Sequence, residues 1–388
     1  MGTASISRVL VLGAYGFFGS RICAALARNP RVKLVLAGGD LARATALAYQ
    51  LGLTADAARQ VDADDPRLAS LLKKLGINVL IHTAGPFQKQ DYHVAQAAID
   101  AGCHYLDLAD GRAFVTGITQ LDAAARAAQV AVVSGVSSLP ALSTAVVDAY
   151  LPEFSRLTTI RIGISSGALV PGIATVRAVF SYCGKPIRAL EDGQWVEVYG
   201  WLDRRTYEFP RPIGARLFGR CDVPDLTLLP ARYPGVRTMS FHAGFVSQTC
   251  HKLIEVLARQ VQAGRLASAL PFARPFYAIA RALQGLLSDS GGMYVRLEGL
   301  DIEGAPRKLT WQLLASENHG PTIPCAPSIA LTNRIAAGSP PAAGAMPCVG
   351  LLSLEEILAP LAGLRIREFM PAVQNSQRKP KDGSSGKP

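Results

Sequence analysis

Arg8–Arg28 reads RVLVLGAYGFFGSRICAALAR. A short apolar run, Val9–Leu12, leads into Gly13, Gly16 and Gly19. A helical pattern follows, with Phe18, Ile22 and Leu26 on one face and Arg21 and Arg28 off it. The order is strand, glycine turn, helix. Gly13 permits a tight turn off the strand, Gly16 lets main-chain N–H groups approach a pyrophosphate, and Gly19 lets the helix pack close to the strand. The spacing is G-x-x-G-x-x-G rather than G-x-G-x-x-G, so the surrounding strand and helix carry the reading. The whole turn, Gly13, Ala14, Tyr15, Gly16, Phe17, Phe18 and Gly19, is the expected phosphate-binding segment.

The same alternation fills the first 150 residues. Strand patterns fall at Val32–Ala37, Ala58–Val61, Asn78–Thr83, Cys103–Leu108 and Val130–Ser134. Helical patterns fall between them at Leu41–Leu51, Pro66–Leu75, Asp91–Ala101 and Ile118–Gln129. Strands alternating with helices of this length predict a parallel, doubly wound α/β sheet of the Rossmann type. In such sheets the ligand lies at the carboxyl ends of the strands. Those ends carry the glycine turn, Gly38–Asp40, Asp62, Ala84–Phe87, Asp107–Gly111 and Gly135–Ser138.

Beyond Pro140 the texture changes. Leu157–Ile164, Gln194–Leu202 and Thr238–His242 have an extended pattern, and Met293–Leu300 with Arg307–Ala315 forms a hairpin around Glu303-Gly304. Gly172–Tyr182 is compatible with either helix or strand. These neighbours predict a second α+β domain on a mixed or antiparallel sheet, serving substrate binding or dimerisation. Gln248–Leu287 is helical and apolar but is interrupted by six charged residues, Pro271 and Pro275, so it is no membrane span. The expected division is 1–136 as the Rossmann domain, 137–326 as the substrate domain, 327–373 as helices packing back on the first domain, and 374–388 as a disordered basic tail.

The chain has 388 residues, 49% of them hydrophobic, and a net charge of +11. Part of that excess sits in the tail, in Arg378, Lys379, Lys381 and Lys387. No basic run interleaves with aromatics, so nucleic acid is not an expected partner. An anionic cofactor and an acidic small-molecule substrate fit the excess, and so does an anionic membrane surface. The seven cysteines are widely spread without C-x-x-C spacing, which argues for reduced thiols in a cytoplasmic protein and against a metal site.

Asn78–Arg112, NVLIHTAGPFQKQDYHVAQAAIDAGCHYLDLADGR, resembles the saccharopine dehydrogenase NADP-binding family. VLGAYGFFG is similar to that family's first turn, Ala84–Phe87 to its A-G-P-F loop, and Gly102–Asp107 to its G-x-H-Y-x-D strand. His319–Pro327, HGPTIPCAP, is also similar to bacterial members. The resemblance implies a nicotinamide cofactor and hydride transfer at a C–N bond. One departure concerns the cofactor. Where the family has A-G-R, with the Arg holding the 2′-phosphate of NADP, this chain has Ala37-Gly38-Gly39-Asp40. Asp40 stands about where an acid would take the ribose 2′-OH of NAD, whereas Arg43 would reach a 2′-phosphate. The resemblance alone tips the balance toward NADP.

Further cofactor contacts are expected from Ala84, Gly85, Pro86 and Phe87, with Phe87 walling the nicotinamide, and from Asp62 at the adenine. Asp107, with Asp110, flanks a strand exit where a carboxylate would orient the nicotinamide amide or bind an ammonium. His319, on a loop, is the expected proton-transfer histidine. His82 and His104 lie within strands and are expected in the core. Arg112, Arg177 and Arg188 are candidates for an acidic substrate. No Tyr-x-x-x-Lys exists, since Tyr182-Cys-Gly-Lys185 is one residue short, which argues against alcohol chemistry by a Tyr–Lys pair. The competing readings are an enoyl reductase acting on a lipid or polyketide, with Gln248–Leu287 lining an apolar pocket, and a cofactor-binding sensor without turnover. A second-domain antiparallel sheet is also compatible with a homodimer.

Overall fold

Alternation of buried strands and amphipathic helices builds the first half. The structure, a computed structural model, describes residues 6–167, 172–283, 285 and 287–370, so the expected basic tail lies outside the described residues. In chain order the elements are β1 (Ser7–Leu12), α1 (Gly19–Leu26), β2 (Val32–Gly38), α2 (Leu41–Gln50), β3 (Ala58–Gln60), α3 (Leu68–Leu75), β4 (Val79–His82), α4 (His93–Ala101), β5 (His104–Asp107), α5 (Arg112–Gly117), α6 (Asp122–Ala127) and β6 (Ala131–Ser134). All six strands pair in parallel, in the order β3-β2-β1-β4-β5-β6. This is the Rossmann order, with the reversal of direction between β1 and β4. Inner strands of such a sheet are covered on both faces, which is why β4 and β6 are buried throughout, including the polar His82 and Ser134 at their carboxyl ends.

The second half continues with α7 (Ser143–Tyr150), β7 (Arg156–Ser165), α8 (Ile173–Ser181), β8 (Pro186–Glu191), β9 (Gln194–Tyr199), β10 (Arg205–Phe209), β11 (Gly214–Arg220), α9 (Asp225–Arg232), β12 (Thr238–Gly244), α10 (Gln248–Gln262), α11 (Ala273–Leu283), β13 (Gly291–Leu300), β14 (Pro306–Ala315), α12 (Ala326–Ala336), β15 (Gly344–Pro347), α13 (Leu354–Leu358) and β16 (Ile366–Phe369). Its sheet runs β10-β11-β12-β7-β13-β14-β16, with β8 and β9 attached at β12. The β7–β12 pair is parallel and the other pairs are antiparallel, so the sheet is mixed. The segment Gly172–Tyr182, open to either reading, is helical over Ile173–Ser181.

Two features depart from the expectation, and a short helix over Arg112–Gly117 adds to it. Ile118–Leu121 is a tighter 3₁₀ turn, leaving an α-helix only over Asp122–Ala127. The C-terminal segment brings strands as well as helices. α12 lies against α1, where Asn29 Nδ2 donates to Asn333 Oδ1 at 2.8 Å. β15 then pairs in parallel with β6 as a seventh strand of the first sheet, while β16 crosses to β14 of the second. Neither four-residue strand carries a period-2 signal; each forms because a neighbouring strand offers a free edge.

The two halves are also latched. Arg112, at the start of α5, donates to Thr227 Oγ1 at 2.6 Å and to the carbonyl of Arg188 at 2.7 Å, and pairs with Asp222 at 3.1 Å. All seven cysteines are free thiols. Among the described residues no helix is long and apolar enough to cross a membrane.

Candidate active site

The carboxyl end of the parallel sheet opens into a cleft of about 880 Å³. One wall is the glycine turn. Gly13 has φ +84°, and a Cβ there would sit 2.7 Å from Thr83 Oγ1. A Cβ on Gly19 would come within 2.2 Å of the Gly13 carbonyl oxygen, so α1 reaches its position against the turn only without a side chain there. The N–H of Gly16 is used, donating to the Gly13 carbonyl at 2.9 Å. The N–H groups of Tyr15, Phe17 and Phe18 have no hydrogen-bond partner among the described residues. Free N–H groups ahead of a helix N-terminus are what a pyrophosphate requires, so this turn fits a dinucleotide.

The opposite wall is Thr83–Gln88. Thr83 Oγ1 donates to the carbonyl of Leu12 at 2.8 Å and fixes the loop to the end of β1. Ala84, Gly85 and Pro86 border the cleft. Phe87 borders it too, but most of its ring is buried beside His82, at 5.0 Å between centroids, and Phe114, at 5.3 Å. Phe87 is therefore mainly core.

At the end of β2, Asp40 caps α2, its carboxylate accepting from the Arg43 N–H at 3.1 Å. The N–H of Asp40 donates to Tyr15 Oη at 2.8 Å. The Arg43 guanidinium lies 4.4 Å above the Tyr15 ring, and a Cβ on Gly39 would meet nothing within 4 Å. The position vacated by the family's arginine is thus open space, with Arg43 beside it. Asp62 is exposed and accepts from the N–H of Asp64 at 3.1 Å, capping its own loop.

Two catalytic expectations are corrected. Asp107 is fully buried and lies outside the cleft. One of its oxygens accepts from Gly135 N–H at 2.8 Å, Ala109 N–H at 2.9 Å and Ser134 Oγ at 3.0 Å, tying β5 to β6. Burial pushes its carboxyl up to about 6, against three hydrogen bonds that favour the ionised form. His319 is half-buried, and its Nδ1 accepts from the N–H of Arg365 at 2.9 Å. That bond turns the imidazole toward the C-terminal strand, where it anchors the chain leading into β16. Arg112 is likewise used up in the latch, and Arg188 lies over Trp195 at 5.1 Å. His82 is buried, and burial lowers it to about 3, so the ring is neutral; its Nδ1 lies 3.1 Å from Tyr105 Oη. His104 Nδ1 accepts from Ala131 N–H.

The carboxylate that does face the cleft is Asp110, held by Gln88 Nε2 at 3.0 Å. Its tip reaches solvent, yet the walls crowd it and raise its carboxyl above the usual range. The cleft continues into a second space of about 830 Å³ between the turn and the other sheet, sharing Phe17, Phe18 and Thr175. Ser165 and Ser166 at the end of β7, Gly291–Met293 of β13 and Pro321–Pro324 border it. Asp289 is its titratable group, fixed by the N–H of Glu317 at 3.0 Å. Among the described residues bordering these two spaces there is no Arg, Lys or His. Thr83, Gln88 and Thr175 escaped the sequence reading. The first two adjoin the A-G-P-F loop and were findable there; Thr175 reaches the cleft only through tertiary packing.

A glycine-turn cleft shared between a Rossmann sheet and a mixed second sheet defines a two-domain dinucleotide-binding protein. Residues 9–133, most of the first domain, match the model of the saccharopine dehydrogenase NADP binding domain. The chain shares the fold of apo saccharopine dehydrogenase (L-Glu forming) from Saccharomyces cerevisiae, with TM-score 0.67 and 16% identity over 94% of this chain and 100% of that one. Homospermidine synthase from Legionella pneumophila, solved in complex with NAD, aligns at TM-score 0.57 and 10% identity over 100% of this chain and 96% of that one. Comparison with the curated proteins finds no match.

Proposed function

We propose that this protein is an NAD(P)-dependent oxidoreductase that transfers hydride at a C–N bond, between an imine and a secondary amine. The observation that carries the reading is the unpaired N–H groups of the glycine turn, opening into a cleft whose far wall is the second domain. The nicotinamide, when bound, supplies or takes up the hydride. The chain's own residues hold the phosphates, orient the reactants and exclude water. Little acid–base machinery is needed, because a protonated imine is already electrophilic. Asp110, facing a cleft with no cationic side chain among the described residues that border it, favours a substrate nitrogen that carries positive charge. The inner cleft therefore suits an amine better than the acidic substrate expected from net charge.

Arg43, stacked beside the open position at Gly39, supports NADP over NAD. Titration with NADPH and NADH separately, followed by cofactor fluorescence, tests both points. Arg43→Ala should weaken NADPH about tenfold, the effect of one charge-assisted phosphate contact, and leave NADH unchanged. If neither nucleotide binds, the reading fails. Turnover with amine and keto-compound pairs then tests the C–N assignment.

An enoyl reductase on an apolar substrate is the second reading. It is favoured by an adjoining apolar cavity behind α8, bordered by Val176, Phe180, Phe245 and Phe276. Reduction of an enoyl thioester, with imines inert, would decide for it.

A further inference from the structure

The helical segment α10–α11 has an outer face unlike the rest of the surface. Thirteen large apolar side chains are exposed among the described residues, and six of them, Leu253, Val256, Leu270, Phe272, Ile279 and Leu283, fall between positions 253 and 283. Val256 and Ile279 are more than half exposed, at 53% and 55%. These positions are not left over from a core-facing stripe. The inward face of α10 is supplied by Ile254, Ala258 and Val261, and that of α11 by Phe276 and Ala280. Both helices thus carry apolar residues inside and outside, and among the described residues nothing covers the outer set. Elsewhere such residues, for example Leu41, Trp195 and Ile302, are scattered singly and need no explanation.

The same segment is rich in cations. Lys252, Arg259, Arg265, Arg274 and Arg281 are exposed, while its acidic residue Glu255 is buried and paired with Arg204 at 3.2 Å and Arg259 at 2.7 Å. Two consequences follow. A second copy of this face would set cations against cations, which opposes self-association through it. A surface bearing fixed negative charge over an apolar interior would satisfy both sets of side chains at once.

The face also borders the entrance to the site. A groove of about 1180 Å³ runs from Pro86 and Gln88, which line the cofactor cleft, to Leu270, Pro271 and Arg274 of this segment.

We propose that the outer face of α10–α11 docks on the surface of an anionic lipid bilayer, with its six apolar side chains in the headgroup layer and its arginines and lysine paired with lipid phosphates. The cleft entrance then opens beside the bilayer, where apolar reactants are most concentrated. This inference is independent of the reaction and of the choice of cofactor.

Flotation of the full chain with vesicles tests it. Vesicles of phosphatidylcholine containing phosphatidylglycerol should carry the protein at low salt, and pure phosphatidylcholine vesicles should carry far less. Lys252→Glu with Arg281→Glu should weaken binding at least about tenfold, since each basic residue near an anionic surface is worth roughly a factor of five. Leu253→Ser, Val256→Ser, Ile279→Ser and Leu283→Ser together should weaken it comparably while leaving cofactor binding unchanged. If the serine variant misfolds, protection of α10–α11 amides from exchange on adding anionic vesicles to the native chain gives the same answer. Failure to bind anionic vesicles overturns the proposal. So does binding that neither variant reduces, a native dimer that the serine variant converts to monomer, or retention of duplex DNA in place of vesicles.

Discussion

The proposed cofactor half and the proposed substrate half of the cleft are built from different materials. The cofactor half is made of main chain: unpaired N–H groups at Tyr15, Phe17 and Phe18, a helix seated on Gly19, and the loop Thr83–Gln88. All of it comes from two short contiguous stretches. The substrate half is made mostly of side chains gathered from β7, α8, β13 and Pro321, Ile323 and Pro324, residues far apart in the chain. A main-chain site demands particular glycines at fixed spacings, because no other residue leaves the room. A side-chain site demands only a shape and a charge, which many sequences supply.

That contrast can be broken at either half. The largest effect should come from Gly19→Val, which drives a Cβ into the Gly13 carbonyl 2.2 Å away and displaces α1. Dinucleotide affinity should fall by about 100-fold or more, equal to losing two strong phosphate contacts. Fluorescence titration measures the loss, and circular dichroism checks that the fold survives. Next comes Ser166→Trp, at the border of the substrate space. Turnover should drop at least about tenfold, for one blocked contact region, while cofactor affinity stays within twofold. Equal loss of both would mean that the two halves are one site.

The halves also differ in how they hold buried acid. Asp107 in the first sheet has three donors and sits at about 6, while Asp225 on α9 is bonded to Ser143 and burial raises it to about 7. A raised carboxyl keeps its proton in the folded chain and releases it near pH 4 in the unfolded one. Asp225 therefore contributes stability that is complete below about pH 4 and is lost as pH rises through 7. Asp225→Asn should flatten the fall in urea-unfolding free energy between those limits. The smallest effect is expected from His319→Ala. It removes one hydrogen-bond acceptor and should cost about 1 kcal/mol of stability, with turnover within twofold. A large loss of turnover would return His319 to the chemistry.

The first sheet was legible because buried parallel strands leave unbroken apolar runs and the turn between β1 and α1 must be glycine. The A-G-P-F loop was legible for the same reason, and Gln88 beside it was within reach. The two acids at the exit of β5 were not separable. Asp107 and Asp110 are three residues apart, and only the packing of β6 decides that the first turns inward to Gly135 while the second faces the cleft. His319 looked exposed and reactive because its partner, the N–H of Arg365, lies 46 residues away. The strands β15 and β16 left no mark, since each is four residues long and takes its conformation from an edge already in place.

The seventh strand of the Rossmann sheet has a consequence for the chain's synthesis. Residues 7–134 emerge first and can assemble six strands, but the outer edge of β6 gains its neighbour only when Gly344–Pro347 arrives, after the whole second sheet except β16. Until then an apolar strand edge stands open to other nascent chains. The Rossmann sheet is thus finished only after the second sheet, all but β16, has been made, and its closing strand certifies that everything between them is already in place.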